Sequence, residues 1–246
     1  MNKIMKLATI LVILYSGVLI GQTSNDFSKS ITPVVSISLS NSSYAQEFES
    51  RFFDSDNFSL TIEESSRLGI GFLYQMENTK GHYYRLGIEN FSISKSNSFI
   101  TNDVPPREAV NNNSANSFKL IGHLEYGKYF FPGFSDKFKI AIGVTASPYT
   151  SKYKHIPVNS LSVNYRLFQH GVDLGLSPRV TMKLSSLIEI DLSIVAKLIH
   201  TNYSSLNYED PSLNADERNL REFNVSANDQ RLSAMLGLKF NLLRHD

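Results

Sequence analysis

The segment IEIDLSIVAKL, residues 188–198, decides the fold class because its side chains alternate in polarity. Six apolar residues occupy its even positions, and the odd positions carry Glu189, Asp191, Ser193, Val195 and Lys197. A period of two residues is that of a β-strand, whereas an amphipathic helix repeats about every 3.6 residues. The segment is therefore a strand with one apolar and one largely polar face.

The same alternation recurs along the chain and predicts eight strands in all. They cover residues 31–40, 68–76, 84–89, 118–126, 138–146, 172–184, 188–198 and 231–242. A change of phase after Ile88, where Phe91 and Ile93 continue the apolar face, predicts a β-bulge in the third of these strands. The chain is therefore predicted to be all-β.

The connections between the predicted strands alternate between long and short. Long or medium stretches lie at 41–66, 94–116, 150–164 and 201–230, and short turns lie between them at 78–81, 132–136 and 185–186. Membrane β-barrels sort their connections in this way, with short turns on the periplasmic side and long loops outside.

The two faces of the strands indicate which face meets lipid. The apolar face is aliphatic over spans of about 9–11 residues, the length of a tilted strand that crosses a bilayer. The other face is rich in Gly, Ser and Thr with scattered charges, which suits a narrow interior. A soluble barrel of the lipocalin kind would place these faces the other way round. We therefore predict an eight-stranded antiparallel up-and-down transmembrane β-barrel.

The amino terminus has the pattern of a secretory signal peptide. Lys3 and Lys6 precede an apolar run at 7–20, and Gly21 follows it. The run is shorter than the roughly 20 residues that a membrane-spanning helix needs. We expect cleavage near residue 21, which leaves 22–246 as an outer-membrane β-barrel domain of a Gram-negative cell.

Composition excludes several classes of function. The 246 residues contain 24 Lys and Arg against 23 Asp and Glu, so the clustered basic excess of a nucleic-acid-binding protein is missing. The chain has no Cys, which excludes disulfides, thiolate metal sites and a lipid-modified N-terminal Cys. No cofactor is predicted.

The pattern over about residues 30–243 resembles the small eight-stranded bacterial outer-membrane barrels, the family of outer membrane protein X and the transmembrane part of outer membrane protein A. More loosely, the chain is similar to the outer-membrane β-barrel domain proteins common in Bacteroidetes. The resemblance implies a monomeric, porin-like integral membrane protein in contact with the lipid bilayer and lipopolysaccharide. Such chains usually end in an aromatic residue, whereas here Phe240 lies in the last strand and the chain ends Asn-Leu-Leu-Arg-His-Asp.

An eight-stranded barrel is just wide enough to be filled by its own side chains, so inward charges are expected to pair. A three-residue turn at 184–186 gives a register that sets Arg179 opposite Asp191 and Asp173 opposite Lys197. Two further contacts are predicted on the same face: Glu89 with Arg67, and Glu125 with Lys139 or Arg85. The favoured interpretation is a structural plug, and the alternative is a polar relay or constricted channel.

The same register sets His170 opposite His200 on the outward face, at the outer rim. Two imidazoles on adjacent strands are able to bind a metal or a lipid phosphate. No third ligand is evident, so amphipathic residues at the interface are the favoured interpretation. No outward Ser lies beside either His within a strand, and the chain has no GxSxG, HExxH or P-loop motif. The prediction is therefore that the chain is not an enzyme and has no catalytic site.

The sequence thus favours a non-enzymatic outer-membrane barrel with long extracellular loops for surface interaction or envelope integrity. The loops at 41–66 and 201–230 are acidic, and the loop at 150–164 is basic, so an extracellular or envelope protein partner fits as well as lipopolysaccharide. The alternatives are an accessory barrel of a secretion or transport system and, third, an enzyme that modifies lipid A.

Overall fold

The computed structural model describes residues 27–39, 43–49, 57–63, 67–102, 109–130, 137–155, 165–208 and 219–242. The signal peptide predicted at 1–21 lies outside these residues. None of the described residues belongs to a helix long and apolar enough to cross a membrane.

Ten strands form the described structure, and eight of them close into an antiparallel barrel. The strands are β1 (Phe27–Leu39), β2 (Ser43–Glu49), β3 (Asn57–Glu63), β4 (Arg67–Asn78), β5 (His82–Asn102), β6 (Ala109–Phe130), β7 (Phe138–His155), β8 (Tyr165–Lys183), β9 (Ile188–Tyr208) and β10 (Asn219–Asn241). The barrel order is β1-β4-β5-β6-β7-β8-β9-β10, and β10 pairs with β1 to close it. The predicted all-β, eight-stranded transmembrane barrel is confirmed.

The segments predicted as long loops contain more strand than the alternation indicates. Strands β5, β6, β9 and β10 are 21–23 residues long, about twice the length that crosses a bilayer. Strands β2 and β3 form a hairpin within the predicted loop 41–66, and β3 pairs with the far part of β5. Beyond the membrane the outer face of a strand no longer meets lipid, so the alternation that reveals strands fades there.

Most side chains of the barrel wall face outward when apolar and inward when polar, as the sequence predicts. One exception among the described residues is an inward apolar cluster: Val34, Leu73, Val195 and Met235. Ile140, Ile142 and Val144 on β7 are 43–61% exposed, whereas Ala141 and Thr145, which alternate with them, are 1–2% exposed. Polar and charged side chains fill most of the interior and aliphatic side chains cover the outside, so lipid is the solvent that this outer surface requires. We refer to the outward apolar surface as the apolar belt.

The interior changes character toward the long-loop end. A β-bulge in β9 at Leu198 shifts the inward set from odd to even positions. Above this bulge, three apolar side chains from β7, β8 and β9 lie directly opposite one another in register: Tyr153, Leu167 and Leu206. They are 0–1% exposed and form an apolar row in the interior. The next inward row below it is polar, since Ser151, Gln169 and Ser204 are also buried and directly opposite one another.

Leu167→Ala is expected to loosen the upper part of the sheet. Truncation of a buried leucine costs about 2–5 kcal/mol through lost contacts and the cavity that remains. Limited proteolysis of the folded protein in detergent should therefore cut the long-loop end faster. The variant should still fold, which is checked by migration on a gel that is faster before boiling than after.

Leu176→Ala is the matched control, because Leu176 lies on the same strand and faces outward at 39% exposure. Equal cleavage rates in the two variants would contradict the assignment of a packed apolar interior at the long-loop end.

Candidate functional site

Four charged side chains form a ring inside the barrel at the short-turn end. Lys239 Nζ lies 2.9 Å from Glu189 Oε2 and 3.5 Å from Glu77 Oε2. Lys139 Nζ lies 3.6 Å from Glu77 Oε1 and 3.8 Å from Glu189 Oε1. Two ammonium groups thus alternate with two carboxylates across β4, β10, β9 and β7, and the four charges compensate one another.

A buried arginine pair fills the middle of the barrel around a single carboxylate. Arg179 donates from Nε and from an Nη to the two oxygens of Asp191, at 2.6 and 2.8 Å. Arg85 also donates to Asp191, and its other Nη lies 3.5 Å from Glu125 Oε2. Arg179 further donates to the side-chain oxygen of Gln75 at 2.6 Å. Asp191 therefore holds two guanidinium groups that are 0–1% exposed.

Two glycines make the space that this cluster occupies. Gly127 and Gly143 are directly opposite each other on β6 and β7. A Cβ atom at 127 would overlap the hydroxyl of Tyr83, and one at 143 would overlap the carboxylate of Glu125. In this recess the Tyr83 hydroxyl donates to Glu125 Oε1 at 2.7 Å. The Arg179 guanidinium lies 5.1 Å from the centre of the Tyr83 ring, a cation–π contact.

The β-bulge that the sequence predicts after Ile88 is confirmed. It lies in β5 between Ile88 and Asn90. It leaves Glu89 and Asn90 both buried, because two consecutive residues turn inward where one would do so in a regular strand. Glu89, at 0% exposure, reaches the barrel centre through this irregularity.

Glu89 joins the middle of the interior to its upper part. Its carboxylate accepts hydrogen bonds from Ser233 at 2.7 Å and Ser147 at 3.1 Å. His123 Nδ1 lies 3.3 Å away, and Lys197 Nζ lies 3.9 Å away. Strands β5, β6, β7, β9 and β10 thus meet at one buried carboxylate.

Above Glu89, polar contacts link the carboxylate of Asp173 to the imidazole of His200 and this imidazole to the hydroxyl of Tyr149. Asp173 Oδ1 lies 2.5 Å from His200 Nδ1, and Lys197 Nζ lies 3.0 Å from Asp173 Oδ2. The Tyr149 hydroxyl lies 3.2 Å from His200 Nε2, with the two rings stacked at 5.3 Å. His200 is 5% exposed and lies below the apolar row, so this series is enclosed within the barrel.

The structure brings Arg179 near Asp191 and Asp173 near Lys197, but in a different register from the predicted one. Arg179 is directly opposite Ser193, and Lys197 is opposite Gly175, so both ion pairs run diagonally between β8 and β9. The predicted turn at 184–186 is wrong, since the turn occupies 185–187.

Ser185 explains the position of this turn. Its Oγ accepts hydrogen bonds from the backbone N–H groups of Leu187 and Ile188, at 3.2 and 3.1 Å. Such a local side-chain contact favours a turn that begins at the serine. The sequence contains this signal, but hydrophobic alternation alone does not reveal it.

The remaining predicted interior contacts are distributed differently. Of the two partners proposed for Glu125, Arg85 lies beside it, whereas Lys139 belongs to the ring at the short-turn end. Glu89 is surrounded by the serines, histidine and lysine named above. The side chain of Arg67, its predicted partner, lies outside the described side chains.

The predicted rim pair of His170 and His200 is wrong. His170 is exposed and directly opposite Tyr203, with Thr150 Oγ1 2.9 Å from its Nδ1. His200 faces inward, because the bulge at Leu198 reverses the direction of the side chains that follow it. Among the described residues, no group of three or more His, Asp and Glu is placed to hold a metal ion.

Comparison with known proteins rests on solved structures. No protein-family model matches the chain, and no curated protein matches it. The outer membrane protein OprG from Pseudomonas aeruginosa is similar, with a TM-score of 0.55 and 12% identity over 89% of this chain and 98% of that one. A major outer membrane protein from Thermus thermophilus gives a TM-score of 0.53 and 12% identity over 88% and 99% of the two chains. At this identity the likeness shows the fold.

The prediction that the chain is not an enzyme is corrected by the same comparison. The outer membrane protease OmpT from Escherichia coli aligns with 89% of this chain and 98% of its own, at 7% identity and a TM-score of 0.47. A fold does not by itself decide whether a protein is an enzyme, so the enzymatic status of the chain is open.

The closed eight-stranded barrel, its apolar belt and its enclosed charges agree with the fold of these membrane proteins. The chain is an integral outer-membrane β-barrel protein.

Proposed function

We propose that the protein is a barrel closed to solutes, which anchors a sheet of long strands at the cell surface for surface interaction or envelope integrity. Lipopolysaccharide and an extracellular or envelope protein are the partners that such a surface fits. The proposal includes a monomeric barrel, a cleaved signal peptide at 1–21, and kinship with the outer membrane protein A and X type or the Bacteroidetes type of barrel.

The observation that carries the proposal is the burial of inward side chains from all eight barrel strands at mid-height. A water-filled passage would leave the residues along it exposed, as in wide porins. Each strand instead contributes an inward residue of 0–2% exposure: Ser36, Leu73, Arg85, Glu125, Thr145, Arg179, Asp191 and Met235.

The strands beyond the apolar belt support the surface role. Half of β5, β6, β9 and β10 extends past the length that a bilayer requires, and the β2–β3 hairpin widens this upper sheet. Exposed segments on a rigid scaffold are where proteins commonly carry binding residues. The closed interior leaves this surface as the part of the molecule that is available to a partner outside the cell.

Replacement of residues 41–66 by an Asn-Gly turn tests the proposal. The variant should still form a barrel that migrates faster on a gel before boiling than after. Cells that carry it should show the envelope defect of cells without the protein, measured as growth in the presence of detergent. Full protection by the shortened barrel would contradict the surface role, as would the absence of any defect in cells without the protein.

A further inference from the structure

A patch of basic and aromatic side chains lies on the outer wall of β5 and β6 at the short-turn end. His82 is directly opposite Lys128, and Tyr84 is directly opposite Tyr126. Residues directly opposite in a sheet share a face, and the alternate residues of both strands are buried inside the barrel. These four side chains therefore face the membrane side. Together with the exposed Lys80 in the adjoining turn, we call them the β5–β6 patch.

Contacts within the β5–β6 patch fix its shape. His82 Nδ1 lies 2.8 Å from the Tyr126 hydroxyl, and the two rings stack at 5.9 Å with an interplanar angle of 17°. Tyr84 packs against Tyr126 with ring centres 5.0 Å apart. The side-chain oxygen of Asn78 accepts hydrogen bonds from the backbone N–H groups of Lys80 and His82, which holds the turn in place.

The patch carries positive charge that no described carboxylate on its own face compensates. Lys80 and Lys128 are both exposed. The nearest acidic side chains along β4 and β6 are Glu77 and Glu125, and both point into the barrel, where Lys139, Lys239 and Arg85 engage them. An anion at the outer surface would therefore meet two ammonium groups and an imidazole without a competing carboxylate.

The position of the patch favours a lipid over a soluble anion. It lies at the edge of the apolar belt, where Tyr126 is 45% and Phe130 is 43% exposed on the lipid-facing side. Lysine side chains at such an edge lay their methylene groups on apolar surface and direct the ammonium toward the headgroup layer. A free phosphate ion has no apolar part that could pack against the tyrosine rings beside the charges.

We infer that the β5–β6 patch binds the phosphate headgroup of an anionic phospholipid in the adjoining membrane leaflet. Lys80 and Lys128 supply the charge, and His82 supplies a ring nitrogen for a hydrogen bond to a phosphate oxygen. Tyr84 and Tyr126 lie against the glycerol and the first methylene groups of the acyl chains. This site is separate from the surface that the proposed function uses.

Native mass spectrometry of the full-length barrel tests the inference. The protein is released from mixed micelles of phosphatidylglycerol and phosphatidylethanolamine, and the bound lipids are counted. The intact protein should retain phosphatidylglycerol in preference. Lys80→Gln/Lys128→Gln should reduce that preference about 25-fold, since each lysine near an anionic surface contributes roughly fivefold. Lys80→Arg/Lys128→Arg should keep it.

Lys29→Gln/Lys183→Gln is the matched control, because it removes the same charge from exposed lysines at the same end of other strands. If the control variant lost the preference for phosphatidylglycerol to the same extent, the preference would be a general effect of charge and not of a local site. That result would overturn the inference. Displacement of the lipid by inorganic phosphate alone, or the absence of any preference in the intact protein, would also overturn it. Gel mobility before boiling verifies that each variant is folded.

Discussion

Asp191→Ala is expected to lower the free energy of unfolding of the barrel by about 3–5 kcal/mol, because removing one partner of a buried ion pair leaves the other charge uncompensated. Here a single carboxylate holds both Arg85 and Arg179. Arg179 would keep only the side-chain oxygen of Gln75 and its contacts with tyrosine rings. Urea unfolding in lipid vesicles, followed by gel mobility, measures the change.

Ser193→Ala is the control for this experiment. Ser193 lies two residues further along β9, faces inward at 1% exposure, and its hydroxyl has no protein hydrogen-bond partner. The alanine variant should unfold within about 0.5 kcal/mol of the intact protein, since no established contact is lost. A comparable loss from both substitutions would show that the arginine pair contributes no special stability.

The second large effect is expected in conductance across planar lipid bilayers. The intact barrel should give no ion-conducting steps, because inward side chains close it at mid-height. Among the described residues, Arg85 and Arg179 are the largest fully buried side chains. The triple variant Arg85→Ala/Arg179→Ala/Asp191→Ala removes them together with their shared carboxylate, so it leaves no member of the trio unpaired. It should produce conducting steps.

The triple variant Arg85→Met/Arg179→Met/Asp191→Leu separates lost volume from lost charge. It replaces the ionic trio by apolar side chains of similar size, a change that buried ion pairs often tolerate. It should remain silent in the bilayer. Conducting steps from the intact protein, or silence from both triple variants, would contradict a barrel closed by these side chains.

Most of the membrane-spanning architecture could be predicted from hydrophobic alternation. The 188–198 segment has its even residues outward and its odd residues inward, and the phase change after Ile88 marks a real bulge. Alternation is this informative because lipid and the charged interior place opposite demands on successive side chains.

Register and the orientation of His200 could not be predicted from that signal. Hydrophobic alternation is unchanged when a strand slides by two residues, so it does not distinguish a turn at 184–186 from one at 185–187. Long side chains such as Arg179 and Lys197 then reach their partners diagonally, which conceals the error in register. The extra residue at Leu198 falls where the apolar face ends, so no change of phase reveals it.

The bulge at Leu198 marks the level on β9 where the membrane-spanning wall gives way to the upper sheet. Below it the wall has an apolar outer face and an interior that contains the buried ion pairs, whereas the upper sheet buries the packed row of Tyr153, Leu167 and Leu206. This junction is therefore a suitable place to join parts of two different barrels. Exchanging everything beyond it with the corresponding part of another barrel would transplant a surface together with the packing that keeps it folded.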